Sequence, residues 1–402
     1  MCDTLCALGP GGALFGKNSD RPSTEVQLIQ AYARRAGGGE LRTQYLTLPD
    51  KGAHALIGAQ PEWLWGFEHG VNEHRVAIGN EKLFTARNPN DEPAALIGMD
   101  LVRLGLERGG AADEALDAMT ALLAEHGQGG VCDQTTGESY FSSFIIADPR
   151  SAWVLETSGR SWVAAPVDRS AAISNRITLR TEWTRSSADI EPGTDFDTFR
   201  HPAAPTGHAD RRLAASRACL ASAAGGTPLS PADFAAHLRD HGTGPWGIPG
   251  ADGPVEPPPD EFGPDGTGVT VCMHLRGFQN TTSSMIAQLP ADDAAPLRAW
   301  IAPGNPCVAV FVPVFPPAAI PAELADAGVW RRFAALRERV EADAGALPEI
   351  RAAFDPVEAE LWSEADDVAL SPERQQRFVD DAWIRVEEAL DRASAAAGAP
   401  LR

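Results

Sequence analysis

The stretch that decides the fold is residues 1–21, MCDTLCALGPGGALFGKNSDR. Two runs rich in apolar residues, TLCAL and ALFGKN, flank Gly11 and Gly12, and this pattern predicts a β-hairpin. A hairpin here would place the amino terminus inside a sheet, whereas an unpaired terminal segment would stay loose.

Cys2 would become a nucleophile with its own base if Met1 were removed. A small side chain at position 2 allows trimming of the initiator methionine, and Cys2 would then carry a thiol and a free α-amine. The amine has a pKa of about 7.7–8.0, close to that of a good general base at neutral pH. The thiol has a pKa of about 8.5 and therefore needs an activating neighbour. The alternative is an unremarkable cysteine in a frayed terminus.

Composition restricts the class of partner. The 402 residues carry a net charge of −21, and lysine occurs only at positions 17, 51 and 82. Such a charge disfavours nucleic acid and anionic membrane surfaces, so a small-molecule amide or dipeptide is the expected partner. The sequence has no signal-like start and no long apolar run, which predicts a cytoplasmic protein that does not span a membrane. A homo-oligomer remains open.

Metal and cofactor signals are weak in the sequence. Six cysteines, at positions 2, 6, 132, 219, 272 and 307, lack paired C-x-x-C spacing, so they indicate neither a zinc site nor a disulfide framework. His69, Glu73 and His74 resemble a metal cluster, but no further ligand stands at a fixed spacing from them. We therefore predict no metal and no cofactor.

Blocks of strand pattern alternate with blocks of helix pattern. Strands are indicated in most of residues 1–83 and 141–177, and again in GVTVCMHL, TSSMIAQL, LRAWIAP and PCVAVFVPVF after residue 267. Helices are predicted at Ala94–Arg108, Ala112–His126, Arg211–Ala224, Pro231–His241 and across the tail from Ala322 to Ala397. Residues 178–210 and 241–266 are predicted surface excursions, either of which could cover a site. The order favours an α+β protein with two antiparallel sheets between helices.

A set of ordered motifs resembles the secernin family over most of the first 160 residues. The motifs are CDTLCAL, FGKNSDRP, PEWLWGFEHGVNEH, AIGNE, GMDLVRLGLERG, LLAEHGQGG and AWVLET. The resemblance implies a four-layer αββα sandwich of the N-terminal-nucleophile hydrolases, remotely related to choloylglycine hydrolase and penicillin V acylase. It further implies a catalytic domain over residues 1–320 and a helical segment over 321–402 packed on the same domain.

The resemblance also implies roles for individual residues. Cys2 matches the nucleophile, and Asp20 matches the residue that orients its α-amine. Lys17 stands where the acylase relatives place an arginine, and it keeps the charge but not the bidentate fork. Asn80 matches the oxyanion-hole asparagine, Asn175 a second polar stabiliser and Arg217 an arginine that buttresses the site. Arg75 stands where the family pattern has glycine. Trp63, Trp65 and Glu81 are the candidate substrate-binding residues, although buried tryptophans are as common in cores as in pockets.

These observations favour a cysteine-dependent hydrolase of linear amide bonds, acting on dipeptides, with the Cys2 thiol as nucleophile and its α-amine as base. Two alternatives stay open. One is an N-acyl-amide acylase or acyltransferase with the same nucleophile. The other is a non-hydrolytic protein with an electrophilic, modified amino terminus or a scaffold role.

Overall fold

The computed structural model describes residues 1–222, 228–242, 268–317 and 320–398. Its strands are β1 (Cys2–Gly9), β2 (Gly12–Pro22), β3 (Gln27–Tyr32), β4 (Glu40–Arg42), β5 (Thr47–Pro49), β6 (Leu56–Pro61), β7 (His69–Asn72), β8 (Ala77–Leu83), β9 (Phe141–Ala147), β10 (Ala152–Ser158), β11 (Ser161–Pro166), β12 (Ser170–Ile173), β13 (Arg185–Ser186), β14 (His274–Leu275), β15 (Gln279–Pro290), β16 (Arg298–Pro303) and β17 (Val312–Val314). The α-helices are α1 (Gly98–Arg108), α2 (Ala112–His126), α3 (Thr206–Ala221), α4 (Pro231–Leu238), α5 (Ala327–Ala342), α6 (Ala346–Val368) and α7 (Pro372–Ala396).

The first twenty-two residues form the predicted hairpin. β1 and β2 pair antiparallel, with Cys2 opposite Ser19 and Gly9 opposite Gly12. Gly12 has a φ of 126°, and a Cβ there would lie 2.1 Å from the carbonyl oxygen of Leu289. Glycine therefore satisfies both the turn and the close approach of β15. The β-hairpin prediction is confirmed.

Two large antiparallel sheets lie face to face. The first has the order β12-β1-β2-β15-β16-β17, with β14 paired to β15, and the second has the order β13-β11-β10-β9-β8-β7-β6-β3. β1 contacts β8 and β9 across the interface between the sheets. One apolar core contains Phe15 and Met285 from the first sheet together with Ile57 and Ile145 from the second. Cys2 therefore begins a strand in the interior of the molecule.

Helices cover the outer faces of both sheets. α1 and α2 pack on the second sheet, where they share an apolar cluster with β8, β9 and β10. α3 and α4 pack on the first sheet, beside β1, β2, β12 and β15. α6 and α7 contact β17, and α5 contacts β3. The layers are helix, sheet, sheet and helix, as predicted, and the tail is helical.

Several predicted boundaries were wrong. GVTVCMHL was predicted as a strand, but only His274 and Leu275 pair in β14. The backbone just before β14 forms hydrogen bonds outside the regular strand pairing of the sheet: the Cys272 N–H donates to Asp240 O, and the Met273 N–H donates to Thr281 Oγ1. The run 306–315 holds a 3-10 turn and only the short strand β17. α3 begins five residues before the predicted helix.

The structure describes the first of the two predicted surface excursions completely and the second only at its start. Residues 178–210 include β13 and a 3-10 turn at Phe196–Phe199, and Phe196 is fully buried, so this segment has an anchor of its own. Of the second excursion, only residues 241 and 242 are described, and its prediction otherwise lies outside the described residues.

Arg75 occupies a backbone conformation that favours glycine. Its φ is 66°, and it is the only non-glycine residue in the described part of the chain with a positive φ. Its guanidinium donates to Pro290 O, to Asp293 and to Ala295 O at 3.0–3.1 Å. These hydrogen bonds offset the cost of left-handed backbone in a residue that bears a side chain.

None of the described helices combines the length and the apolar character that a bilayer crossing requires.

Candidate active site

Cys2 is buried and is held by two polar groups from separate strands and turns. Its backbone N–H donates to Asn175 Oδ1 at 2.9 Å. Its Sγ accepts a hydrogen bond from the Asp20 N–H at 3.4 Å. The hairpin supplies Asp20, and the turn after β12 supplies Asn175, because β12 pairs with the other edge of β1. The structure thus brings together three of the residues that the sequence singled out.

Asn175 is fixed on both sides of its amide. Its Oδ1 also accepts from Arg212 Nη2 at 2.7 Å, and its Nδ2 donates to Lys82 O at 3.0 Å. With all of its side-chain atoms engaged, the amide is held in one orientation. It is therefore a positioned acceptor for the nitrogen of Cys2.

The arginine beside the site is Arg212 and not Arg217. Arg212 is buried and donates to Cys2 O at 3.0 Å and to Asp3 Oδ2 at 2.6 Å, in addition to Asn175. Arg217 is exposed on the same helix, α3. Five residues rotate a helix position by about 140°, so the two arginines face in different directions. Both lie in the run DRRLAASR, and the sequence alone gave no register to choose between them.

Asp20 contacts the nucleophile through its backbone. Its Oδ1 accepts from Thr281 Oγ1 at 2.7 Å, and its Oδ2 lies 4.0 Å from Arg212 Nη1. Oδ2 is buried and receives no hydrogen bond from the described residues. Burial raises the pKa of Asp20 to about 7, against the lowering effects of the terminal ammonium and Arg212. In this state the acceptor for the Cys2 nitrogen is Asn175, where the resemblance implied Asp20.

Lys17 and Glu81 form a fully buried ion pair beneath the nucleophile. Lys17 Nζ lies 3.5 Å from Glu81 Oε1 and donates to Asn80 O, while Thr4 Oγ1 donates to the same carboxylate. Burial opposes the charge of Lys17, but the facing Cys2, Glu81, Glu68 and Asp20 outweigh it and raise its pKa. Burial raises the pKa of Glu81 to about 7, against the pull of Lys17. Glu81 is thus a buried partner of Lys17, where it was predicted to contact substrate.

Asn80 is engaged with a buried carboxylate. With its amide oriented to satisfy the surrounding groups, Nδ2 donates to Glu68 O at 2.8 Å and to Glu68 Oε2 at 3.0 Å. Its backbone N–H also donates to Glu68 O, at 3.2 Å. A role for Asn80 as an oxyanion donor would therefore require its amide to exchange Glu68 for a substrate oxygen.

The two candidate tryptophans lie in different clusters. Trp63 is half-buried, donates from Nε1 to Glu25 Oε2 at 2.8 Å, and packs with Met99 and Tyr140. Trp65 packs in the cluster beneath α1, and the Arg103 guanidinium lies 4.2 Å from its ring centroid. Trp63 is therefore near the groups around Asn80, whereas Trp65 belongs to the core of the second sheet.

A buried polar group beside Trp63 was missed in the sequence. Arg21 donates to Tyr140 Oη at 2.9 Å and forms ion pairs with Glu25 at 2.6 Å and Glu68 at 3.3 Å. Arg21 and Glu68 lie in the motifs KNSDR and FEHG, next to residues that were singled out. An alternation argument along β2 does not find them, because their role depends on residues more than forty positions away.

Met1 occupies a pocket next to Cys2. Its ammonium donates to Gln279 Oε1 at 3.0 Å and to Asp20 O at 3.2 Å. The residue is 6% exposed, and it packs in a cluster with Val269, Met273 and Leu275, with Phe84 and Phe278 at the margin. The pocket thus combines two acceptors for an ammonium with an apolar wall.

The thiol is not ionised while Met1 remains attached. Burial raises the pKa of the Cys2 thiol to about 11, although Lys17 and the terminal ammonium lower it. In this state the Cys2 nitrogen is an amide, and its lone pair is delocalised into the carbonyl and cannot accept the thiol proton. The arrangement is a nucleophile with a neighbouring cation and positioned polar groups, and it lacks a base until an amine is present.

A separate cleft carries none of these residues. It has a volume of about 890 Å³ and lies between α1, α2 and the segment from Arg34 to His54. Arg35 pairs there with Asp50 at 2.9 Å and Glu107 at 3.3 Å. Because Cys2 and the residues around it lie elsewhere, we base no function on this cleft.

Comparison with known proteins gives partial likenesses of fold. No protein-family model matches the sequence. Among solved structures, a variant of conjugated bile acid hydrolase from Clostridium perfringens is 12% identical, covers 74% of this chain and 88% of that chain, and gives a TM-score of 0.43. Penicillin V acylase from Agrobacterium tumefaciens is 10% identical over 81% of this chain and 88% of that chain, with a TM-score of 0.39. The Caenorhabditis elegans ortholog of N-acylethanolamine-hydrolyzing acid amidase is 14% identical over 44% of this chain and 71% of that chain, with a TM-score of 0.30.

These low scores describe distant similarity, so the function proposed below rests on the residues of this chain. Membership of the secernin family stays a prediction.

Proposed function

We propose that this protein is a cysteine amidohydrolase that is activated by loss of Met1 and that cleaves small substrates bearing a free α-amine, of which dipeptides are the simplest. The observation that carries the proposal is the setting of Met1. It is an aminoacyl group bound with its ammonium on Gln279 and Asp20 and its side chain against an apolar wall.

The position of Met1 relative to the thiol supports this reading. The carbonyl carbon of Met1 is joined to the Cys2 nitrogen, so attack by Sγ on that carbon would close a five-membered ring. A substrate aminoacyl group that takes the place of Met1 would bring its own carbonyl to the same neighbourhood. The acceptors that now hold the Met1 ammonium would then hold the substrate ammonium.

Removal of Met1 would also create the base. The Cys2 nitrogen would become an α-amine, still hydrogen bonded to Asn175 Oδ1. The amine takes the thiol proton, and the sulfur attacks the substrate carbonyl carbon. When the C–N bond breaks, the leaving nitrogen takes the proton from the ammonium. Water then attacks the thioester, and the thiol is regenerated with release of the acid.

Two neighbouring side chains have proposed supporting roles. The Lys17 ammonium is close enough to lower the pKa of the Cys2 thiol and so favours the thiolate. Asn80 is the proposed donor to the developing oxyanion, in a step in which its side-chain amide exchanges Glu68 for the substrate oxygen.

Met1 is buried in the folded chain, so we expect its removal before the hairpin closes. The mass of the amino-terminal peptide of untagged protein shows which state is present. Retention of Met1 in every active preparation would contradict the mechanism.

The activity test uses a panel of dipeptides with apolar first residues, each with a free and an acetylated α-amine. We expect turnover of the free dipeptides and at least tenfold slower turnover of the acetylated ones. Cys2→Ala should abolish turnover, and Cys6→Ala, a buried cysteine on the same strand, is the matched control. Gln279→Leu should raise KM for free dipeptides, whereas Gln376→Leu, exposed on α7, should not.

The other outcomes select the alternatives. Faster cleavage of the acetylated series would favour an N-acyl-amide acylase. Transfer of the acyl group to an added amine would favour an acyltransferase. No turnover together with a carbonyl-reactive amino terminus would favour the non-hydrolytic alternative.

A further inference from the structure

We propose that His241, Cys272, His274 and Cys307 bind one structural zinc ion. One ligand atom from each of the four residues lies within 4.8 Å of every other, and three of the residues are buried. Two thiolates and two imidazoles are a donor set of structural zinc sites. This inference does not depend on the proposed function.

The distances agree with tetrahedral coordination. With Zn–S of about 2.3 Å and Zn–N of about 2.05 Å, a tetrahedral angle places sulfur and nitrogen about 3.6 Å apart. Cys307 Sγ lies 3.3 Å and Cys272 Sγ 3.7 Å from His274 Nε2. An imidazole nitrogen has one in-plane lone pair and can accept one thiol proton, so hydrogen bonding alone explains only one of these approaches.

The orientation of the His274 imidazole is fixed by a carboxylate on the side away from the two cysteines. Its Nδ1 lies 3.0 Å from Glu341 Oε1, which fixes Nδ1 as the protonated nitrogen and leaves the Nε2 lone pair facing the two cysteines. A carboxylate behind a histidine ligand is the usual outer contact of a zinc site. Asn280 Nδ2 donates to the same carboxylate oxygen, and Arg337 Nε lies 3.7 Å from it.

The remaining groups fit the same site. His241 contributes one ring nitrogen to the cluster, and its ring centroid lies 5.2 Å from that of His274. Asn305 Nδ2 donates to Met273 O at 2.7 Å and lies 3.9 Å from Cys272 Sγ, where it can donate to a thiolate. Binding of Zn²⁺ releases the two thiol protons, and the resulting core of one dication, two thiolates and two neutral imidazoles has no net charge.

The four ligands come from three segments of the chain. His241 follows α4, Cys272 and His274 flank the start of β14, and Cys307 lies in the 3-10 turn Pro306–Val308. The segment 269–275, which carries two ligands, also packs on Met1. Met273 N–H donates to Thr281 Oγ1, which donates to Asp20 Oδ1. The zinc would thus stabilise one wall of the Met1 pocket.

The first test is the metal content of untagged protein after removal of loosely bound metal. We expect about one zinc per chain. Replacement by Co²⁺ should produce the charge-transfer bands of cobalt–thiolate bonds and the visible bands of tetrahedral cobalt. Cys307→Ser should lose both the zinc and the thiolate bands, while Cys219→Ser, outside the cluster, should keep them.

A conservative variant covers the case in which Cys307→Ser does not fold. Glu341→Gln should lower zinc affinity by about 10–100-fold, measured by competition with a chelating dye, and Glu338→Gln, exposed on the same helix, should leave it unchanged. Wild-type protein that binds neither zinc nor cobalt would overturn the proposal. So would a mass two hydrogens lower, with Cys272 and Cys307 joined in a disulfide. Neither result would depend on amidase activity.

Discussion

Asn175 accepts a hydrogen bond from the backbone nitrogen of Cys2 at 2.9 Å, and loss of Met1 would turn that nitrogen into an α-amine. The acceptor is a neutral amide held in place by Arg212 and Lys82 O. A neutral acceptor stabilises an ammonium less than a carboxylate does, which keeps the amine available as a base near neutral pH. This pair is therefore the structural basis for the proposed activation.

We predict that Asn175→Asp raises the pKa of the mature Cys2 amine, because a carboxylate next to the nitrogen favours its charged form. The acidic limb of the kcat/KM profile should then move to higher pH by about one unit. The pH profile of the variant on a cleaved dipeptide, compared with that of Asn88→Asp, an exposed control, measures the shift. An unchanged limb with reduced kcat would mean that Asn175 acts only by packing.

Arg212→Ala should destabilise the protein by about 3–5 kcal/mol, because it leaves the buried carboxylate of Asp3 without its partner. Arg217→Ala, at the exposed position on the same helix, should change stability by less than about 0.5 kcal/mol. Chemical denaturation of both variants measures the difference. Equal effects would contradict the assignment of Arg212 as the buried arginine of the site.

In the protein with Met1 retained, Asp20 should contribute a loss of stability as pH rises from about 4 to 7. Burial raises the folded-state pKa of Asp20 from 3.8 to about 7, so between these values the folded chain binds a proton that the unfolded chain has released. The contribution is complete below pH 4 and lost above 7. It amounts to a few kcal/mol at most, at about 1.36 kcal/mol per pKa unit.

Asp20→Asn should reduce this slope, and the difference from wild type isolates Asp20 from other buried carboxyls such as Glu81. Denaturation midpoints at about pH 4.5, 6 and 7.5, which span the window, give the comparison. Asp168→Asn, almost fully exposed, is the control. A wild-type stability that rises through the window relative to Asp20→Asn would reverse the sign and refute the prediction.

Gly79→Ala should displace Lys17. A Cβ at Gly79 would lie 2.6 Å from Lys17 Cδ and 3.1 Å from Thr4 Oγ1, below normal contact distance. We expect a loss of about 1–3 kcal/mol in stability, as for other overpacked interiors, together with lower amidase activity. Gly11→Ala, where a Cβ would meet nothing within 4 Å, is the matched control. Unchanged activity in a stably folded Gly79→Ala protein would show that the position of Lys17 is not important for turnover.

The sequence determined the elements that depend on neighbouring residues. Alternation around Gly11 and Gly12 gave the hairpin, and helical periodicity gave α1 and α2, because each pattern repeats within one element. The order of strand and helix blocks then gave the layered class. The alternation pattern gave a wrong prediction in residues 268–275, because backbone groups there form hydrogen bonds with Asp240 and with the Thr281 side chain, outside the regular pairing of strands.

Only the tertiary structure decided which distant side chains meet. It placed Arg212 against Cys2 and left Arg217 exposed, since helix register against a sheet depends on packing across 210 positions of chain. It made Asn175 the partner of the Cys2 nitrogen, because β12 pairs with β1. It also gathered His241, Cys272, His274 and Cys307 from three segments whose spacing matches no local motif. Local patterns record the periodicity of an element, whereas contacts between elements arise only when the sheets and helices pack.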